Sequence, residues 1–374
     1  MPQNPESRRS FLKDLSWGVG AFSLANAFPR LATAANPRSG KLGVALVGLG
    51  NYATNQLAPA LETAKDCYLA GVVTGTKSKE AVWKQKYNLK ESNIYNYETF
   101  DSIASNKDID IVYVVLPNSM HAEYTIRAAR AGKHVICEKP MALNAAEAQT
   151  MIDACKANDV LLSIGYRLHF DPNTIELMKL AEEKPYGEIR YVQSEASFAM
   201  GNNLKAWRLN HALAGGGAVM DMGVYCIQAA RYCTGEEPIA IRAQEIKTDW
   251  VKFKEVDETV TWQMEFPSGA YSNSTTSYNF RSNRIYVSYA QGAALLEPAT
   301  RYTGVKGQIF KGQQPVRTLA VQDIVQQERQ MDGFARSVKN GVPSIVPGEE
   351  GLHDMKVIDA LYKSLAENGK RIVI

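Results

Sequence analysis

From Leu42 onward the chain alternates short, continuous apolar runs with segments of helical spacing. Apolar runs at 42–47, 68–73, 111–116, 134–137 and 160–164 are separated by helical patterns at about 54–64, 79–87, 100–106, 120–131 and 145–158. Strands that are apolar throughout, rather than alternating, are buried on both faces, so the pattern predicts a parallel sheet covered by helices on each side. Beyond Asp171 the rhythm changes to longer strands at 189–198, 239–246, 259–266, 270–278, 284–289 and 293–296. Within 259–266, Val260, Trp262, Met264 and Phe266 alternate with Thr261, Gln263 and Glu265, which turns one face of that strand inward. The outer face is less polar in the neighbouring strands, and an uncovered apolar sheet face marks a contact with a second subunit. Helices at 321–340 and 352–368 close the chain. The predicted architecture is an α/β N-terminal domain followed by an α+β domain with a large, open, mostly antiparallel sheet.

Composition narrows the picture without changing it. The 374 residues are 45% hydrophobic and 22% charged, with 42 Lys and Arg against 39 Asp and Glu, proportions of a folded, two-domain protein. The excess of +3 is spread along the chain, with no basic block long enough to track a phosphate backbone, so nucleic acid is not an expected partner. Five cysteines, Cys67, Cys137, Cys155, Cys226 and Cys233, are odd in number and lack the spacing of a zinc site. They are expected to be buried thiols, and no metal is expected.

The first segment reads as an address. Ser7-Arg8-Arg9-Ser10-Phe11-Leu12-Lys13 matches the twin-arginine export pattern. The stretch that follows is mildly apolar and broken by Gly18, Gly20 and Asn26, too weak to span a membrane. Ala32-Thr33-Ala34 supplies small residues for a signal peptidase, which predicts cleavage before Ala35. The expected organisation is a signal peptide over 1–34, a short arm over 35–40, a nucleotide-binding domain over 41–166 and a substrate and oligomerisation domain over 167–374. Export in the folded state through the twin-arginine machinery would place the protein in the periplasm, where a cofactor must be held tightly or be lost.

Strand 42–47 runs into Gly48-Leu49-Gly50-Asn51-Tyr52-Ala53 and then a helix, the G-x-G-x-x-G/A turn of a Rossmann dinucleotide site. Gly48 permits the tight turn, Gly50 lets the backbone approach a pyrophosphate, and the helix N-terminus offers free N–H groups to it. An NAD-preferring site places Asp or Glu at the end of the second strand. Here the chain reads Thr74-Gly75-Thr76-Lys77-Ser78-Lys79, with no carboxylate to repel a 2′-phosphate, so NADP is the expected cofactor.

Two further motifs, Leu116-Pro117-Asn118-Ser119-Met120-His121 and Cys137-Glu138-Lys139-Pro140, stand at carboxyl ends of parallel strands, where such sheets hold ligands. Gly215-Gly216-Gly217 opens a helix that carries Asp221 and Tyr225 four residues apart, hence on one side. A Tyr with a pKa of about 10 becomes a usable base when a neighbouring ammonium lowers it by roughly 1 to 3 units, and Lys139 is the candidate ammonium.

These residues together resemble the Gfo/Idh/MocA oxidoreductases and, within them, the periplasmic glucose-fructose oxidoreductase branch. The resemblance also rests on Gly165-Tyr166-Arg167 with His169 and Asp171-Pro172, Trp207-Arg208-Leu209, Gly235-Glu236-Glu237-Pro238, Pro298-Ala299-Thr300 with Tyr302, and Pro347-Gly348-Glu349-Glu350-Gly351. It implies that Lys139 and Tyr225 are the catalytic pair, with Asp221 beside them. It also implies cofactor contacts at Gly48, Leu49, Gly50, Asn51, Tyr52, Thr74, Gly75, Lys79, Leu116, Pro117, Asn118, His121, Glu138, Lys139, Arg167, Trp207, Arg208 and Tyr302. Lys139, His169, Trp207, Asp221 and Tyr225 would face the substrate. The implied activity is oxidation of an aldose at C1 to its lactone, with tightly bound NADP, followed by reduction of a second sugar in the same pocket. Alternatives are a ketosugar reductase using free NADPH, a nicotinamide-dependent glycosidase and a non-catalytic sugar sensor. The implied assembly is a homodimer or homotetramer joined through the C-terminal sheet. The arm over 35–40 is shorter than that branch carries.

Overall fold

A computed structural model describes residues 40–320 and 324–374. The export segment, the arm up to residue 39 and the start of the helix expected at 321 lie outside the described residues. The first domain is built on six parallel strands, β1 (Leu42–Val47), β2 (Cys67–Val73), β3 (Ile94–Tyr95), β4 (Ile111–Val114), β5 (His134–Cys137) and β6 (Leu162–Ile164), in the order β3-β2-β1-β4-β5-β6. That is the doubly wound order, with its switch point between β1 and β4. The continuous apolar runs have the expected cause: Val44 to Val47 and Ile111 to Val114 are fully buried from both sides.

Helix Gln326–Asn340, far down the chain, covers one of those sides. Its Met331, Phe334, Ala335 and Val338 share a core with Val44, Leu46, Leu57 and Tyr113. Its Asp332 carboxylate accepts hydrogen bonds from the backbone N–H groups of Lys65 and Asp66 at the start of β2. Sequence alone assigns this helix to the second domain; in space it belongs to the first.

The second sheet has nine strands. They are β7 (Ile189–Ser197), β8 (Ala240–Ile246), β9 (Thr259–Glu265), β10 (Tyr271–Ser277), β11 (Ser282–Tyr289), β12 (Gly292–Leu296), β13 (Gly307–Lys311), β14 (Gln314–Leu319) and β15 (Ile372–Val373). All neighbours are antiparallel except β7 and β10. The inner face of β7 and β10 carries Ser194, Ser272, Ser274 and Thr276, all buried. Such small side chains let helix Val224–Thr234 lie close, and Ser194 Oγ donates to the Cys226 carbonyl at 3.3 Å and pairs with Ser274 Oγ at 2.9 Å. Every residue of that helix is buried.

The outer face differs from expectation. Gln193, Glu195, Gln263, Asn273, Thr275 and Arg284 occupy outward positions together with Tyr191, Tyr271 and Tyr286, so the open face is polar and aromatic rather than apolar. Helix Pro172–Glu183, which no periodicity announced, begins where the Asp171 carboxylate caps the N–H groups of Asn173 and Thr174. All five cysteines are buried free thiols.

Arg231, on the buried helix, pairs with Asp354 of helix Gly348–Ala366, and both are fully buried. Gln228 donates to the same carboxylate at 3.0 Å. Burial works to raise the Asp354 pKa and the Arg231 charge opposes it without winning. Arg231 also pairs with Glu237 at 2.7 Å and with Glu350 at 3.2 Å, so loss of Asp354 leaves its charge paired but takes away the acceptor of Gln228. Asp354→Ala is therefore expected to cost about 1–3 kcal/mol, read as a lowered midpoint in urea unfolding with an unchanged slope; an unchanged midpoint would show that the pair does not hold the two helices.

Candidate functional site

A cleft of about 950 Å³ runs between the two sheets, along the carboxyl ends of β1, β2, β4 and β5. Gly48 to Tyr52 form its first wall. Gly48 has φ +95°, and a side chain there would strike the Val115 carbonyl at 2.4 Å. At Gly50 a side-chain carbon would meet nothing within 4 Å; it would project into the open cradle. The helix that follows begins with a wide π turn, Ala53–Leu57, and Ala53 is fully buried against the sheet. Thr74, Gly75, Thr76 and Lys79 line the cleft at the end of β2, and Lys79 Nζ donates to the Leu49 carbonyl at 2.7 Å. Lys77 does not line it. Five cations, Lys79, Lys139, Arg167, Arg208 and Arg301, face two carboxylates, Glu138 and Asp221. The open cradle at Gly50, the cationic balance and the absence of an acid at the end of β2 fit an anionic dinucleotide with a 2′-phosphate.

The β4 and β5 loops form the floor. His121 is buried with its ring nitrogens 2.9 Å from the carbonyl oxygens of Pro140 and Leu116, which ties the two loops together. Burial outweighs those hydrogen bonds and lowers its pKa. Asn118 Nδ2 donates to the Ala214 carbonyl at 2.8 Å, joining this floor to the opposite wall. Glu138 is buried, and Tyr113 donates to its Oε1 at 2.7 Å while accepting from Gln330 Nε2 at 2.7 Å. Burial raises the Glu138 pKa against the opposing effects of that bond and of Lys139 and Arg167. Gly165 is required beside it, since a side-chain carbon there would lie 2.6 Å from Glu138 Oε1.

Lys139, Asp221 and Tyr225 do meet. Lys139 Nζ donates to the Asp221 carbonyl, lies 3.5 Å from Asp221 Oδ1 and sits 4.5 Å from the centroid of the Tyr225 ring. The guanidinium of Arg167 approaches the same ring at 5.1 Å. Asp221 and Tyr225 both line the cleft, on the shared side expected of residues four apart. Residues Val219–Gly223 form a π turn that runs into helix Val224–Thr234, and Lys139 reaches both residues. Asp221 also accepts from Arg208 Nε at 2.7 Å and from the Tyr278 hydroxyl at 3.1 Å. Burial alone would raise its pKa, but Arg208 and Lys139 outweigh that and hold the carboxyl below its ordinary value. Trp207 lines the cleft with the Arg208 guanidinium 4.6 Å from its ring.

His169 is the one predicted site residue outside the cleft. It stands in the 3₁₀ turn Arg167–Phe170, where residues two apart point in different directions, so Arg167 faces the cleft while His169 packs edge-on to Tyr232 at 5.4 Å. Residues that motif reading missed include Tyr278, Phe198, Asn283 and Arg301, which line the cleft, and Tyr113 and Gln330 beneath it.

Residues 42–166 match the oxidoreductase family with an NAD-binding Rossmann fold, and residues 174–309 match the GFO/IDH/MocA C-terminal domain. The chain belongs to the Gfo/Idh/MocA oxidoreductases. Within this family it is similar to an aldose-aldose oxidoreductase from Caulobacter crescentus, solved in complex with glycerol. The two are 43% identical, with a TM-score of 0.86, over 89% of this chain and 100% of that one. The D-xylose 1-dehydrogenase (NADP(+)) of Haloarcula marismortui is 29% identical over 325 residues, covering 86% of this chain and 90% of that protein. The D-glucoside 3-dehydrogenase of Escherichia coli is 28% identical over 357 residues, covering 89% and 98%.

The helix start of this family member is held by a device outside its motifs. The Asp257 carboxylate accepts from the N–H groups of Gly217 at 2.7 Å and Val219 at 2.9 Å and from the Tyr362 hydroxyl at 2.7 Å. Side-chain carbons at Gly216 and Gly217 would lie 1.9 Å from the Tyr362 hydroxyl and the Asp257 carbonyl, so the glycines permit this close clamp. Displacing the clamp moves Asp221 and Tyr225 together. Asp257→Ala is expected to lower kcat by about 10- to 100-fold, the scale of an ångström-sized misplacement, while the affinity for NADP(H) measured by fluorescence titration stays within a factor of about two; equal losses in both would refute a positioning role.

Proposed function

We propose that the protein is an exported, NADP-dependent sugar oxidoreductase that oxidises an aldose at C1 to its lactone and reduces a second sugar in the same pocket. The observation that carries this reading is the approach of Lys139 Nζ to the Tyr225 ring inside the cleft that begins at the glycine turn. NADP, when bound, supplies the hydride acceptor for the oxidation and, once reduced, the hydride donor for the return step. Tyr225 takes the proton from the C1 hydroxyl, and the Lys139 ammonium stabilises the tyrosinate that results. Asp221 fixes that ammonium and is itself fixed by Arg208 and Tyr278. In the reverse direction Tyr225 returns the proton to the carbonyl oxygen of the second sugar. Thr74, Gly75 and Lys79 would hold the adenosine end, with Lys79 the cation nearest a 2′-phosphate. Support for sugars as substrates comes from the aldose-aldose oxidoreductase and the two sugar dehydrogenases above. A dimer or tetramer through the outer face of the nine-stranded sheet belongs to the same reading.

Denaturing the purified protein is expected to release NADP(H), and added aldose to turn the bound cofactor into its absorbing reduced form. Tyr225→Phe should lower the rate of that single turnover by about 10²- to 10⁴-fold, the usual worth of a general base. Protein without bound cofactor that needs added NADPH and reduces only ketosugars would instead identify the reductase alternative. Export is tested separately: the mature protein should begin at Ala35, and replacing Arg8 and Arg9 together by Lys should retain it in the cytoplasm.

A further inference from the structure

The loop between β12 and β13 has a rigid stem and an open tip. Its ends are closed by the Glu297 N–H to the Lys306 carbonyl at 2.9 Å. Asn283 Oδ1 accepts from both Ala299 and Thr300 N–H at 2.7 Å. Arg167 donates to the Thr300 carbonyl at 2.6 Å and the Arg301 carbonyl at 3.2 Å. Gln326, held by Asp171 at 3.0 Å, donates to the Arg301 carbonyl at 3.2 Å. Ala299 and Thr300 are accordingly buried, whereas Arg301, Tyr302 and Thr303 are exposed.

The tip nevertheless crosses the cleft. The Tyr302 ring lies over the Arg167 guanidinium at 4.5 Å and meets the Tyr52 ring at 5.9 Å and 32°. Tyr52 directly follows the anion-binding turn at Gly48 and Gly50, so this aromatic pair joins the two domains across the open cradle. Arg301 lines the same cleft and forms no ion pair with any described residue. A large ring at a loop tip, 41% exposed, is poorly used as packing. It is well placed as a cover: one aromatic pair is weak enough to part for a ligand and strong enough to slow its escape. We propose that residues 297–306 form a clasp over the dinucleotide, with Tyr302 closing on Tyr52 and Arg301 supplying a cation to the diphosphate. The resemblance implied a cofactor contact at Tyr302; the closure against Tyr52 and the role of Arg301 come from the geometry.

The proposal rests on the reading of the cleft as an NADP site, and the test separates the two. Protein loaded with NADPH is diluted into an excess of an unrelated NADPH-consuming enzyme, and release is followed by loss of fluorescence. Tyr302→Ala and Tyr52→Ala should each speed release by about tenfold or more, the scale of one contact. The double variant should be no faster than the faster single one, because both remove the same pair. Tyr302→Phe, which keeps the ring, should release at the wild-type rate. Arg301→Gln should also speed release and make it less sensitive to added salt. Unchanged thermal transitions in all variants show that the stem is intact. If wild type holds NADPH and every variant releases it at the wild-type rate, the clasp is wrong and the NADP reading stands. If wild type binds no NADPH, the NADP reading fails and the clasp with it.

Discussion

An ammonium buried between two domains must have an anion beside it, and this requirement at Lys139 organises the molecule. Lys139 stands at the end of β5 in the first sheet, while Asp221 belongs to a helix lying on the second. Their pairing is productive only if both sheets dock in one relative position. The supporting contacts are arranged to that end. His121 bridges the two floor loops, Asn118 reaches across to Ala214, and Asp257 clamps the start of the helix that carries Asp221. Small hydroxyl residues on β7 and β10 allow the helix to come close enough, and the Arg231–Asp354 pair holds its far end. A defect in any of these would reach the reaction by moving Asp221 or Tyr225, not by touching substrate.

Asp221 serves two cations at once. Arg208 and Lys139 pair with its two carboxylate oxygens, and together they outweigh the burial that would otherwise raise its pKa. Glu138, also buried, accepts from Tyr113 and from the Lys139 N–H but has no ion-pair partner among the described residues, and there burial prevails. Two carboxyl groups in one cleft are thus pushed in opposite directions by their surroundings. Asp221 is set up as a fixed charge beside the Lys–Tyr pair, and Glu138 as a hydrogen-bonding group on the floor.

Much of this was legible before any coordinates. The parallel sheet, the glycine turn, the acid-free end of β2 and the meeting of Lys139 with Tyr225 follow from local pattern, because each depends on residues adjacent in sequence or on a recurrent motif. What escaped depends on contacts made only in three dimensions. Asp257 sits in an unremarked acidic stretch, and nothing near it signals that its partners are Gly217, Val219 and Tyr362. Gln330 reaches Tyr113 from a helix that sequence order assigns to the other domain. His169 was misplaced for a different reason: its role came from the resemblance alone, and the 3₁₀ turn Arg167–Phe170 sets it against Tyr232 while Arg167 faces the cleft. The outer sheet face read as apolar because alternation was clear in only one strand; pairing of all nine shows the polar and aromatic residues collecting on it.

The distribution of charge along the cleft bears on what can enter each end. Where Trp207, Tyr278 and Phe198 stand, the cations Arg208 and Lys139 are already engaged by Asp221. Toward the glycine turn, Lys79, Arg167 and Arg301 have no carboxylate within ion-pair distance among the described residues. At the first end a phosphorylated or carboxylated sugar would have to compete with Asp221 for those two cations, at a cost that falls on binding. A neutral sugar has no charge to desolvate there. The proposed assignment of the two ends follows this pattern: uncommitted cations stand where an anionic dinucleotide would bind, and the cations already engaged by Asp221 stand where a neutral sugar would.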